Sequence, residues 1–200
     1  FFDRLWDLDK RLQDMDDHGV AKQVITLANP PAWLGIDPED ALPLIRLAND
    51  LVREMADEHP DRFVPVATLP FATDAYLEEF HRCVDDLGMA GAQIFSNDQG
   101  RPIDTPGYMA LYEAAESADA PVWIHPQLHG WYDWAPEHSL HTTFGWPFDT
   151  TLAMARLVFA GVFERFPDLD VVTHHLGGMV PYYAGRMATF VEARTNNPDL

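Results

Sequence analysis

Apolar positions along the chain switch repeatedly between a helical and a strand-like period. Leu5, Leu8, Leu12 and Met15 recur at spacings of three and four between Phe2 and His18, the stripe of an amphipathic helix that Gly19 ends. Gln23 to Ala28 then reads as a strand. From Asp40 to His59, Leu44, Ala48, Leu51, Val52 and Met55 share one helical face; acidic residues at its start suit the helix dipole, and Pro60 stops it. The unit repeats. Arg62 to Leu69 is strand-like, Asp74 to Leu87 helical and closed by Gly88, and Gly91 to Phe95 a strand. Asp104-Thr105-Pro106 reads as the cap of a helix running through Leu111, Ala114 and Ala115 to Ala118. Val122 to Pro126 is the next strand, Asp149 to Phe166 a helix and Val171 to His175 a strand, and Gly177-Gly178 opens a last helix through Arg186 to Arg194.

Strands alternating with helices imply βαβ units and a parallel sheet, and no Pro/Gly/Ser-rich linker divides the chain, so a single domain over residues 1–200 is expected. A closed eight-stranded barrel takes about 250 residues. Five strands in 200 residues therefore predict a partial (β/α)8 TIM barrel, strands two to six, lacking the first strand and the last two. The chain opens on Phe1 and closes on Asn-Pro-Asp-Leu, which suggests a cut at both ends. An open doubly wound sheet is the competing architecture, but no Gly-x-Gly-x-x-Gly or phosphate loop follows any strand.

A net charge of −19 opposes polyanions, which argues against nucleic acid and anionic membrane surfaces as partners and favours a bound cation. Lys10 and Lys22 are the only lysines, an acidic bias of the kind that keeps a protein soluble at high salt. Cys83 lies in an amphipathic helical pattern as a small core residue, and no disulfide can form within the chain. No apolar run approaches the roughly 20 residues of a membrane span. A soluble, cytoplasmic protein is expected.

In a parallel α/β protein the ligand site lies at the carboxyl ends of the strands. Two strands deliver histidine there: Val122-Trp123-Ile124-His125-Pro126 and Val171-Val172-Thr173-His174-His175. A neutral imidazole suits a divalent metal, so His125 reads as a metal ligand or as a hydrogen-bonded core histidine. Neighbours on a strand point to opposite faces, so only one of His174 and His175 should look inward. Gly177-Gly178 either lets the backbone approach a ligand or shapes the turn. Arg186 offers a planar fork for a carboxylate, or pairs with a surface acid. The long loop from Gln127 to Phe148 carries His129, Trp131, Tyr132, Trp134, His138, His141 and Trp146, which could wall a substrate or pack on themselves.

Four stretches, in the right order and spacing, resemble the amidohydrolase-related family that includes aminocarboxymuconate semialdehyde decarboxylase. They are Asp57 to Pro70, Leu87 to Ile94, Val122 to Pro126, and His175-Leu176-Gly177-Gly178-Met179-Val180-Pro181-Tyr182-Tyr183-Ala184-Gly185-Arg186. The resemblance implies a distorted (β/α)8 barrel with one divalent metal, zinc or in some members manganese. It matches His125 to the strand-five ligand and His175 to the histidine after strand six that acts on the substrate, which leaves His174 facing outward and packed against a helix. It matches Arg186 to an arginine that helps hold the substrate carboxylate, in some members across a dimer interface. The family's His-x-His or Glu-x-His pair on strand one is absent, and its strand-eight aspartate would lie beyond Leu200.

The expectation is a metal-dependent decarboxylase of a small aromatic or unsaturated carboxylic acid. His175 would move the proton, Arg186, Trp131 and Trp134 would contact substrate, and the chain would form a homodimer or higher homo-oligomer. A hydrolase using metal-bound water on a lactone or amide is the alternative, and an inactive fragment or binding remnant the third. The 200 residues alone should neither hold zinc tightly, because a catalytic zinc normally needs at least three protein ligands, nor turn over.

Overall fold

The computed structural model describes residues 7–28, 33–127 and 137–196. Helix α1 (Leu8–Asp17) begins where the Asp7 carboxylate accepts the Lys10 N–H at 3.1 Å. Strand β1 (Gln23–Ile25) follows, then α2 (Pro38–Glu58), whose Pro38, Glu39 and Asp40 fill a first turn suited to the dipole. The run from Arg62 to Leu69 is one bent strand in two pieces, β2 (Phe63–Pro65) and β3 (Ala67–Thr68). At Val66 its partner changes: Val66 N–H donates to Ile25 O, whereas Ala67 N–H donates to Gly91 O. Next come α3 (Asp74–His81), β4 (Ala92–Phe95), α4 (Pro106–Ser117) and β5 (Val122–His125). The chain ends with α5 (Trp146–Phe159), α6 (Val162–Arg165), β6 (Val171–Thr173) and α7 (Val180–Asn196).

Among the described residues the strands form two parallel sheets, one of β1 on β2 and one in the order β3-β4-β5-β6, so the single sheet expected is divided at Val66 while neighbours keep chain order. A doubly wound sheet reverses its strand order at a switch point, and the described strands do not. Ile94, Val122 and Ile124 share a core with Phe80 of α3, with Leu111, Tyr112 and Ala115 of α4, and with Leu157 of α5. Among the described residues no helix is long and apolar enough to cross a membrane.

Two helices depart from the sequence pattern. The helix expected from Asp74 to Leu87 widens into a π turn over Arg82–Asp86. The one expected from Asp149 to Phe166 is broken at Gly161, whose φ of +73° lies outside helical range, and its first turn begins earlier, at Trp146. At the Asp104-Thr105-Pro106 cap, Thr105 occupies the N-cap without a side-chain bond, and Asp104 instead accepts both Nε and Nη2 of Arg156 at 2.9 and 2.8 Å.

A buried polar cluster centres on Glu79, whose side chain is fully buried. Its carboxylate accepts Arg82 Nε and Nη2 at 2.8 and 2.9 Å, Asn49 Nδ2 at 2.9 Å, Arg46 Nε at 3.1 Å and the Cys83 thiol at 3.2 Å. Asn49 Oδ1 in turn accepts the Thr68 N–H at 2.7 Å, so the cluster ties α2 and α3 to β3. Cys83 is buried, as expected of a core residue, and burial beside Glu79 pushes its thiol well above the ordinary range.

Gly178, at φ +60°, lies hard against the start of α5: a Cβ there would meet Pro147 O at 2.4 Å and Thr151 Oγ1 at 2.8 Å. Thr151 Oγ1 also accepts the Met179 N–H at 2.7 Å. The close approach that Gly178 allows is therefore to helix α5, and it shapes the turn between β6 and α7.

Two outcomes follow for stability. Burial pushes the Glu79 carboxyl up, but its hydrogen bonds from Arg82, Asn49 and Cys83 outweigh this and hold it below its ordinary 4.5. A depressed carboxyl adds stability above its unfolded pKa and loses it as pH falls through the folded value. Glu79→Gln should therefore cost about 3 kcal/mol at neutral pH in urea unfolding and flatten the parent's loss of stability below about pH 4.5. Gly178→Ala should cost about 2–4 kcal/mol, from left-handed strain plus overpacking. Gly19→Ala, also left-handed at φ +67° but with nothing within 4 Å, should cost less in the same measurement.

Candidate active site

Residues Phe95 and His125 are register partners on β4 and β5, and Thr173 of β6 lies opposite Ile124. The His174 N–H continues that ladder by donating to Ile124 O at 3.2 Å. Both histidine-bearing strands thus end side by side, at the carboxyl edge of the sheet where ligands bind.

The imidazole of His125 is 7% exposed and sits at the centre of an aromatic cluster. Ring centres lie 4.9 Å away for His174, 6.0 Å for His175, and 5.9 Å for both Phe95 and Trp146. Trp146 in turn stacks on His175 at 5.4 Å and 30°. His125 Nδ1–H donates to the Pro126 carbonyl at 2.8 Å. Because a carbonyl can only accept, Nδ1 carries the proton and Nε2 keeps its lone pair, the tautomer of a metal-ligating histidine.

Burial, followed by the positive charge His174 would carry, pushes the His125 pKa down to about 4, with His175 adding to the effect. Burial and then His175 hold His174 below its ordinary value; burial alone does so for His175. All three rings are thereby biased towards the neutral form that binds metals or accepts protons.

His174 corrects the sequence expectation. It does not turn away to pack on a helix: it continues β6 opposite His125, and its ring is closer to His125 than that of His175. His175 reaches the same group because the chain leaves the strand there, at φ +54°. The alternation rule holds only while the backbone stays extended. The Nε2 of His174 is buried and has no hydrogen-bond partner among the described residues.

Arg186 is not brought to the histidines. It is exposed on α7, with its guanidinium 4.8 Å above the Phe190 ring of the same helix. Trp131, Trp134, Tyr132 and His129 lie outside the described residues. His138 is exposed beside Glu137, and no group of three or more His, Cys, Asp or Glu among the described residues is arranged to hold a metal.

Sequence reasoning missed the polar support beneath His125. Ser96 N–H donates to His125 O at 2.9 Å, and Ser96 Oγ accepts the Gln127 N–H at 2.8 Å. Trp33 Nε1–H donates to Gln127 Oε1 at 3.0 Å, and Asn97 Nδ2 donates to Gln127 O. Ser96 Oγ also donates to Asp149 Oδ2 at 3.5 Å, and both residues line a cavity of about 370 Å³ together with Asn97 and Arg156. The available signal was the position of Ser96 and Gln127 just past strand ends.

The sequence profile of the amidohydrolase family matches residues 3–195. The chain is 36% identical over 198 residues to 2-amino-3-carboxymuconate-6-semialdehyde decarboxylase of Dictyostelium discoideum, covering 98% of this chain and 54% of that protein. It is 32% identical over 200 residues to gamma-resorcylate decarboxylase of a Rhizobium species, covering 92% of this chain and 60% of that one. Among solved structures, it resembles 5-carboxyvanillate decarboxylase of Novosphingobium aromaticivorans with bound manganese and 3-methoxy-4-hydroxy-5-nitrobenzoic acid. The TM-score there is 0.86 at 30% identity, over 94% of this chain and 56% of that one. The chain thus spans just over half the length of the relatives it matches. The profile match, running almost end to end, shows that this chain belongs to the amidohydrolase family.

Proposed function

We propose that this chain carries part of the active site of a metal-dependent decarboxylase acting on a small aromatic or unsaturated carboxylic acid. The observation that carries the reading is the convergence of His125, His174 and His175 at the carboxyl ends of β5 and β6. The domain reading is a portion of an eight-stranded barrel, strands two to six, supported by the sequential strand order. Similarity to decarboxylases, one of them solved with manganese, supports a divalent cation; zinc is the first choice and manganese the second.

Two features of the site fit that cation. His125 Nε2 has a lone pair free, and the unpartnered, buried His174 Nε2 marks a place where a polar group is wanted. When bound, the ion would act as a Lewis acid that polarises and anchors the substrate. The described residues do the rest. Phe95 and Trp146 exclude water around His125, and Trp146 holds the His175 ring in place by stacking. Loss of carbon dioxide breaks a carbon–carbon bond and leaves its electron pair on the substrate carbon, which must gain a proton. His175, the exposed member of the group, is assigned that proton transfer.

Arg186 retains its assignment to the carboxylate, with Trp131 and Trp134 as substrate walls. From its place on α7, Arg186 would serve a site in a second copy, which fits the homo-oligomer expected from the sequence. Tyr182 and Phe190, 90% and 60% exposed on the same helix, supply apolar surface for such a contact. A cytoplasmic setting completes the reading.

The test is turnover in a protein that carries this chain at the length of its relatives, supplied with Zn²⁺ or Mn²⁺. Carbon dioxide should be released from carboxylated phenols, with no turnover of lactones; the reverse result would favour the hydrolase. His175→Ala should lower kcat by about 10²–10⁴-fold. His125→Ala should abolish metal retention in elemental analysis. Unchanged kcat in the first variant would remove His175 from the proton step.

A further inference from the structure

We propose that His174 supplies a second imidazole nitrogen to the divalent cation held by His125. The proposal rests on the metal-dependent reading above and adds a residue to it. Three observations converge on His174. Its N–H extends the β5–β6 ladder, so its side chain stands beside that of His125 at the mouth of the sheet. The two rings are 4.9 Å apart at their centres and inclined at 73°. Two imidazoles sharing one ion through nitrogens at about 2.0–2.1 Å bring their ring centres to roughly 4.5–5.2 Å, the upper end at the tetrahedral angle.

The third observation is chemical. His174 Nε2 is buried with no partner among the described residues, an arrangement that is unfavourable unless something occupies the space. A cation would satisfy it. His125 Nε2 is available for the same ion, because Nδ1 is committed to the Pro126 carbonyl. His175 differs from both: it is exposed and stacked on Trp146, which leaves it for proton transfer rather than ligation. The division of labour is then two strand-end imidazoles on the ion and one turn imidazole on the substrate.

The experiment uses a protein that carries this chain at the length of its relatives and titrates it with Zn²⁺ by calorimetry and with Co²⁺ by visible absorption, for the parent, His174→Phe, His174→Ala and His125→Ala. The parent should bind one cation. Both His174 variants should bind at least about tenfold more weakly and change the Co²⁺ bands, as His125→Ala should too. Without metal, His174→Phe should unfold at the same urea concentration as the parent or a higher one, because it removes an unsatisfied buried nitrogen. Parent-like affinity and Co²⁺ bands in both His174 variants, with loss only in His125→Ala, would overturn the role of His174 and leave the metal reading intact. A parent protein of that length that binds no cation would overturn both.

Discussion

The pairing of β5 with β6 is the constraint on which the rest of the site depends. Three register pairs, from Val122 opposite Val171 to Ile124 opposite Thr173, bring two histidine-bearing strand ends level with each other. A buried and a half-buried imidazole this close cannot both be charged at modest cost, and burial already disfavours the charged form of each. The strand register therefore sets the chemistry as well as the position: it produces neutral ring nitrogens, close together, at the edge where an α/β sheet receives its ligands.

That register is held from behind. The Ser96 N–H holds the His125 carbonyl, its hydroxyl accepts the Gln127 N–H, and Trp33 closes the set from a distant part of the chain, so the end of β5 is fixed by groups that need not touch substrate. The Glu79 cluster works further back, fastening α2 and α3 to the bent strand whose second half abuts β4. Gly178 lets the turn after β6 press against α5, the helix that begins with Trp146. Trp146 connects the two halves of the site by touching both His125 and His175.

Much of this was legible in the sequence, for identifiable reasons. Apolar runs of four or five residues ending in histidine declared β5 and β6, and helical stripes bounded by Gly or Pro declared most helices. The hidden features are those where one residue changes the backbone's state. Val66 is apolar like its neighbours, yet the strand exchanges partners there. The apolar pattern continues through Gly161 while the helix does not. The positive φ of His175 ended the alternation that assigned His174 to the wrong face. Ser96 was invisible because polar residues follow most strands, and only the fold shows which of them bond to a neighbouring strand's end.

The most direct test of this account is the protonation pattern of the three strand-end histidines, read from ¹⁵N-resolved imidazole spectra of the metal-free chain at pH 7. The account predicts a neutral His125 with its proton on Nδ1, and through-space contacts from its ring to those of both His174 and His175. A His125 ring protonated on Nε2 or on both nitrogens, or one lacking those contacts, would contradict it.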